Sequence, residues 1–477
     1  MDSSHEYKTK RKSPLASNWL LIGLIAVFLI AGVVTVWLTF SAVKDLVSSW
    51  NLSSPPSLSL ENPQDAAAAL ALPEDLGAEG ETPLQSAGGP PSVPWDGNSR
   101  INVLVMGLDS RELDSDDIPR TDTMILFSLD PENRTAGMLS IPRDLWVEIP
   151  GFDYSKINTA YRLGEVYNVS ERGPGQALRT VEELLGMEID YYAMVDFLAF
   201  ENFIDELGGI KIIIPEEIVV DPLGKQNTKT LKAEEQVLPG YLALAYARSR
   251  NTSGSDFDRA GRQQQVIMAI RDRILSTELL PTLIKNSPTI YQSLSSGISS
   301  NLTLMQLVRL AWVAQQIPEE NIRKGVIGVD QVDFAYSYDG QDILRPLPDE
   351  IRKLRDEIFT ISGPPVPLAP QADQQALVDQ EYATVLVLNG TFTPGLASQT
   401  MEYLRSSGLN TSDPGNANER YLVTTIIDYT GNPYTVEMIV ELMSISPENV
   451  YHRYDVAGQA DIVVIAGEDW ADDNPMQ

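Results

Sequence analysis

Residues 19–40, from Trp19 to Phe40, carry no charged side chain. The hydrocarbon core of a bilayer takes about 20 helical residues to cross, so this stretch predicts one membrane-spanning helix behind a short tail at 1–18. Lys8, Lys10, Arg11 and Lys12 stand just before it, whereas Lys44 and Asp45 offset each other just after. That asymmetry predicts a cytoplasmic N-terminus and a single-pass signal-anchor in the cell membrane, with the bulk of the chain outside. A cleaved signal peptide is the competing reading; its apolar region runs about 7–15 residues, and no clear small-x-small cleavage site follows this one.

Residues 41–99 turn to Ser, Pro, Ala and Gly, with Pro55, Pro56, Pro63, Pro73, Pro83, Pro90, Pro91 and Pro94 spread through them. This composition predicts a semi-extended stalk. The rest of the 477 residues suffices for two cores. Basic residues number 35 against 66 acidic ones, a net charge of −31. Such a balance repels nucleic acid phosphates, so a nucleic-acid partner is not expected. Cysteine is absent, which rules out thiol nucleophiles, disulfides and zinc-thiolate sites. The two histidines, His5 and His452, lie outside the region of the motifs below, so a Ser-His-Asp triad there is excluded as well.

Apolar runs at Ile101–Met106, Met124–Leu129, Gly137–Ile141 and Ile210–Ile214 predict strands, and three- and four-residue spacing predicts helices over Gly175–Leu185, Phe197–Leu207 and Phe257–Leu275. The interleaving predicts an α/β fold, a mixed central sheet flanked by helices, over 100–350. Its last part, from Leu279 to about Pro348, is expected to be mostly helical, with Leu302–Gln315 the clearest amphipathic stretch. Pro364, Pro365, Pro367 and Pro370 mark a linker over 351–380. A small separate α/β domain is expected over 381–470, with strands at Ala383–Leu388, Thr424–Asp428 and Asp461–Ala466 and helices at Gly395–Ser406 and Tyr434–Leu442. From residue 380 onward there are 14 acids against three bases, Arg405, Arg420 and Arg453, a poor setting for a phosphate.

The arginines of the first domain gather at strand ends. Gly107-Leu-Asp-Ser-Arg111 follows the first strand and Arg120-Thr-Asp-Thr123 opens the second, so Asp109, Arg111, Arg120 and Asp122 could share one sheet edge. Two carboxylates there suit a hard divalent cation such as Mg²⁺, or Mn²⁺, which fills its other positions with water and phosphate oxygens. Simple Asp–Arg pairing is the plainer alternative. Ser140-Ile-Pro-Arg-Asp144 ends the third strand, with Pro142 leaving Arg143 directed out of the ladder, and Lys156-Ile-Asn158 follows. A guanidinium fork with a lysine matches a diphosphate better than one carboxylate; for this pair taken alone, surface salt bridges are the plainer reading. Tyr246-Ala-Arg-Ser-Arg250 places Arg248 and Arg250 where a short helix ends. Asp256 is positioned to cap the next helix, and Asp256, Arg259 and Gln263 share one face, while Val266, Ile267, Ile270 and Ile274 form its apolar stripe. A helix N-terminus beside arginines is a ready anion site.

These motifs, in this order over about residues 100–275 and together with Leu207-Gly-Gly209 and Arg262-Gln263, resemble the LytR-CpsA-Psr family of cell-envelope glycopolymer transferases. The acidic segment with Val387-Leu-Asn-Gly390 resembles the C-terminal domain of part of that family. The resemblance implies a phosphotransferase that moves a glycan from a polyprenyl (undecaprenyl) pyrophosphate carrier to peptidoglycan, forming a phosphodiester. It implies Asp109 and Asp122 as Mg²⁺ ligands, a pyrophosphate grip from Arg120, Arg143, Lys156, Arg248, Arg250, Arg259 and Gln263, and Asp256 orienting the arginines. It also implies an apolar lipid tunnel, which the helix at Phe197–Leu207 and the stripe Val266–Ile274 would line. A lipid pyrophosphate hydrolase and a non-catalytic envelope scaffold or regulator are the alternatives.

Overall fold

A computed structural model of the chain describes residues 88–108, 118–222, 227–250, 255–276, 297–359 and 374–476. The segment 19–40, most of the stalk, Asp109 and Arg111 lie outside these residues. Among the described residues no helix is long and apolar enough to cross a membrane.

The first sheet has six strands: β1 (Ile101–Leu108), β2 (Thr121–Asp130), β3 (Thr135–Ser140), β4 (Tyr191–Asp196), β5 (Ile298–Ser300) and β6 (Ile322–Val326), in the order β5-β4-β1-β2-β3-β6. β1 runs antiparallel to β2 from Ile101↔Leu129 to Leu108↔Thr121, and parallel to β4; β6 is parallel to β3. The near-continuous apolar run of β1 follows from its burial on both faces. On one face Leu104, Met106, Leu126 and Leu139 meet helix α1 (Arg172–Leu185) through Leu178 and Val181. On the other, Ile125 and Met138 meet Met268, and Ile101, Val103 and Tyr191 meet Leu310.

Helices α2 (Phe197–Glu206), α3 (Gly240–Arg248) and α4 (Ser255–Leu275) follow in the chain. With the hairpins Ile210–Ile213/Glu235–Leu238 and Ile218–Val220/Lys229–Leu231 they enclose a core of their own around Ile204, Ile212, Ala243 and Val266. This arrangement sets the C-terminal end of α3 beside the first turn of α4.

Three expectations need correction here. The stalk does not reach residue 99: Trp95 is buried against Ile101 and Tyr191, and the Val93 carbonyl accepts from Gln306 Nε2 at 2.9 Å. A proline-rich stretch reads as a linker by composition, but one buried tryptophan docks it. Among the described residues after Leu279, helix is not the main element: they hold β5, helix α5 (Leu304–Gln316), β6 and the hairpin Val332–Tyr336/Asp342–Pro346. These strands are too short to show a period of their own. The linker does not start at 351, because helix α6 (Pro348–Phe359) carries Ile351, Ile358 and Phe359 into the first core; the prolines further on drew the boundary too early. Strand β4, bounded by Asp190 and Asp196, has no sequence expectation behind it at all.

The C-terminal region holds a second sheet of β7 (Val385–Asn389), β8 (Gly415–Asn416), β9 (Thr425–Asp428), β10 (Val450–His452) and β11 (Ile462–Ala466), in the order β8-β7-β11-β9-β10. Helices α7 (Leu396–Ser406) and α8 (Pro433–Met443) cover one face through Leu404 and Ile439. This region is not separate from the first, as the sequence suggested. Arg352 on α6 and Asp428 at the end of β9 are both fully buried and paired, with His452 Nδ1 2.6 Å from the same guanidinium. Arg355 donates to the carbonyls of Leu185, Gly186 and Gly431. Gly186 and Gly431 have φ of 62° and 78°, and a Cβ on Gly186 would lie 2.6 Å from the Gly431 Cα, so both the backbone geometry and the close approach require glycine.

Burial alone would push the Asp428 carboxyl up, but the His452 hydrogen bond and the Arg352 charge hold it down to about 2. A carboxyl depressed in the folded state contributes stability that is complete above its unfolded value near 4 and fades as pH falls toward 2. Chemical denaturation at stepped pH is therefore expected to show roughly 2 kcal/mol lost between pH 5 and 2 through this group, and a shallower slope for Asp428→Asn. Equal slopes would remove Asp428 as the acid-sensitive group.

Candidate active site

The site assembles where β2 begins, β3 ends and α4 starts. Pro142 stops the β3 ladder as expected, and Arg143 turns back so that its Nη1 donates to Asp122 Oδ1 at 2.8 Å. Asp144, next in the chain, accepts from Lys156 Nζ at 2.8 Å and lies 3.4 Å from Arg143 Nε. From the other side, Asp256 Oδ1 lies 3.0 Å from Arg250 Nε and 3.2 Å from Arg259 Nη1. Asp256 sits within the first turn of α4 rather than ahead of it.

The two groups of ion pairs form one electrostatic cluster. Burial pushes the Arg259 guanidinium down to about 10; Asp256 and Asp122 oppose that fall, while the positive charges of Arg250 and Arg143 add to it. Arg143 is also desolvated, yet the Asp122 hydrogen bond and the charges of Asp122, Asp144 and Asp256 hold it above its usual value. Arg143, Lys156, Arg250 and Arg259 thus share Asp122, Asp144 and Asp256, leaving one positive charge in excess. The buried Nε atoms of Arg143 and Arg259 have no hydrogen-bond partner. Spare buried donors with mutual cationic repulsion are what a polyanion with several oxygens would satisfy.

Other expected residues are placed differently. Gln263 donates its amide to Thr123 Oγ1 at 3.0 Å, which ties α4 to β2. Arg248 lies over the Phe197 ring, 4.9 Å from its centroid. That ring is close to Gly107, where an added Cβ would lie 3.6 Å from it, so Arg248 borders the end of β1. Arg120 is exposed just before β2. Asp109 lies outside the described residues, and those residues contain no group of three or more potential metal ligands.

The helix stripe also differs. Val266 and Ala269 pack with Ile204 into the core around α2 and α3, whereas Ile267 and Met268 pack on Ile125 and Met138 of the sheet. A helix wedged between two bodies buries two sides, and Arg259, Arg262 and Gln264 are buried along with them. Gln264 donates to Ser140 Oγ at 2.9 Å and to the Gly325 carbonyl at 2.7 Å. The sequence assigns no role to Asp144 or Thr123, and Phe197 only a place in a tunnel-lining helix; the Arg143-Asp144 adjacency is the one available signal.

Residues 77–357 match the LytR_cpsA_psr family model, and residues 382–470 match the model described as LytR cell envelope-related transcriptional attenuator. The chain belongs to the LytR-CpsA-Psr family. Among its relatives, the Bacillus subtilis polyisoprenyl-teichoic acid–peptidoglycan teichoic acid transferase TagT is 35% identical over 208 residues, which are 43% of this chain and 62% of that protein. TagV of the same organism is 34% identical, over 43% of this chain and 51% of its own length. The Staphylococcus aureus regulatory protein MsrR is 33% identical, over 40% and 54%. The chain thus spans between half and two thirds of these relatives. A crystal structure of B. subtilis TagV aligns over 56% of this chain and 99% of that one, at 28% identity and a TM-score of 0.45.

In this LytR-CpsA-Psr chain, Lys156→Ala removes one of four cations from a cluster with a single positive charge to spare. A charge-assisted hydrogen bond is worth about 1.5 kcal/mol, so titration with inorganic pyrophosphate is expected to show affinity reduced about tenfold. Unchanged affinity would place Lys156 outside the site.

Proposed function

We propose that the chain is a phosphotransferase that moves a glycopolymer from a polyprenyl (undecaprenyl) pyrophosphate carrier to peptidoglycan, forming a phosphodiester. The observation that carries this reading is the convergence of Arg143, Lys156, Arg250 and Arg259 around three aspartates, in an otherwise anionic chain. Phosphoryl transfer depends on positioning and charge neutralisation more than on covalent help from the protein, which suits a site without histidine or cysteine. The names of the TagT and TagV relatives, teichoic acid transferases to peptidoglycan, support the same class of donor and acceptor.

In the proposed reaction, an acceptor hydroxyl attacks the glycan-side phosphorus in line. The new O–P bond forms as the bond to the bridging oxygen breaks, polyprenyl phosphate departs, and the hydroxyl proton passes to solvent water. Arg259 and Arg143 take the charge that develops on the equatorial and bridging oxygens. Asp256 holds Arg250 and Arg259 in place, and Asp144 does the same for Lys156 and Arg143.

A divalent cation, Mg²⁺ or Mn²⁺, fits the donor set. One Asp122 oxygen is engaged by Arg143, and a hard ion held by one or two carboxylates completes its shell with phosphate oxygens and water. Asp122 and Asp109 would hold it, and it would supply charge neutralisation at the diphosphate. In the same reading, residues 19–40 anchor the body at the outer face of the membrane. Incubating the full chain with radiolabelled lipid-linked oligosaccharide, Mg²⁺ and peptidoglycan tests the proposal: label should become insoluble with the wall. Release of free phosphorylated glycan without incorporation would mark a hydrolase, and intact donor after long incubation would mark a non-catalytic binder.

A further inference from the structure

The second sheet has one face under helices and another that opens into a groove of about 700 Å³. Residues two apart on a strand share a face, so β9 brings Thr425 and Ile427 into the groove and Tyr429 continues the row, while Tyr451 of β10 lies beside Ile427 in register. Tyr421 closes the row. Tyr451 is 48% exposed and Leu422, on the same rim, 70%. The exposed Tyr451 ring and the half-buried rings of Tyr421 and Tyr429 offer aromatic surface with polar ends for stacking.

Charge narrows the occupant. Two of the three bases of this acidic region, Arg420 and Arg453, line the groove. Neither brings a net positive charge: Arg420 is paired with Glu468 at 2.8 Å, and Arg453 with Glu148 at 2.8 Å and Glu183 at 2.9 Å. A groove with guanidinium and Asn449 amide donors but no cationic surplus, in a domain with 14 acids and three bases, disfavours a polyanion. It suits a chain of neutral rings whose flat apolar faces stack on tyrosine and whose edges offer hydroxyls and amides. Through Glu148, Arg453 also reaches the hairpin Trp146–Glu148/Tyr154–Lys156 that carries Lys156 of the catalytic cluster.

We propose that this groove binds a neutral, N-acetylated polysaccharide strand. As a grip on the acceptor it rests on the transferase reading above; as a saccharide site it does not. The test is calorimetric titration of the full chain with a β-1,4-linked N-acetylglucosamine hexamer, and with a glycerol phosphate polymer as the anionic comparison. Saturable binding of the hexamer is expected, weakened at least tenfold in Tyr451→Ala and in Tyr429→Ala but retained in Tyr451→Phe. Several results would overturn the proposal: no saturable hexamer binding, equal binding by Tyr451→Ala, tighter binding of the phosphate polymer, or a self-association that Tyr451→Ala abolishes. Hexamer binding with no transfer of label to peptidoglycan would sink the transferase reading and leave the saccharide site standing.

Discussion

Arg259→Ala is expected to lower transfer of label from the lipid-linked donor to peptidoglycan by on the order of 10²–10³-fold, the usual loss when one preorganised charge-stabilising donor is removed. Arg259 is 7% exposed and its Nε has no partner, so Asp256 offsets only part of its desolvation and an arriving anion would offset more. The substitution leaves Asp256 paired with Arg250 at 3.0 Å, and the fold should survive; an unchanged circular dichroism melt would verify this. Arg259→Lys keeps the charge but loses the planar fork, and is expected to recover only a small part of the activity. Transfer at the wild-type rate by Arg259→Ala would remove the residue from the chemistry and undo the proposed mechanism.

The second large effect lies far from that site. Arg352→Ala is expected to cost about 3–5 kcal/mol, the range for breaking a buried ion pair by deleting one partner. Asp428 is fully buried and accepts from the backbone N–H of Gly431 at 2.9 Å and of Asn432 at 3.1 Å, but its compensating charge comes from Arg352. Without the guanidinium the carboxylate stays out of water with only His452 left facing it. Differential scanning calorimetry should show the transition lowered by roughly 10 °C, while Arg352→Met combined with Asp428→Asn should regain most of the loss, because no charge is then left stranded. An unaltered transition in Arg352→Ala would show that the two sheets are held together by other contacts.

The legibility of the site divides along the same physical line. Asp122, Arg143, Lys156, Arg250, Asp256 and Arg259 were nominated from motifs at strand and helix ends, where a short apolar run followed by Pro or Gly fixes where the backbone stops and a polar side chain begins. Asp144 stands beside Arg143 in the sequence, but only the fold around Ile157 brings Lys156 to it. The sequence groups Arg248 with the other arginines and gives no sign that Phe197, more than fifty residues away along the chain, lies under its guanidinium.

Local periodicity determined the apolar cores of β1, β2 and β3, the helices α1, α2 and α4, and the strands β7, β9 and β11 of the acidic region, since each of these is set by side chains a few residues apart. Tertiary structure alone decided that β4 inserts beside β1, that α4 buries two sides instead of one, that Trp95 docks the end of the stalk, and that Arg352 and Asp428 join the two sheets. Each of those depends on partners distant in sequence, and the free energy of burying a charge or an aromatic ring is fixed by what surrounds it in space.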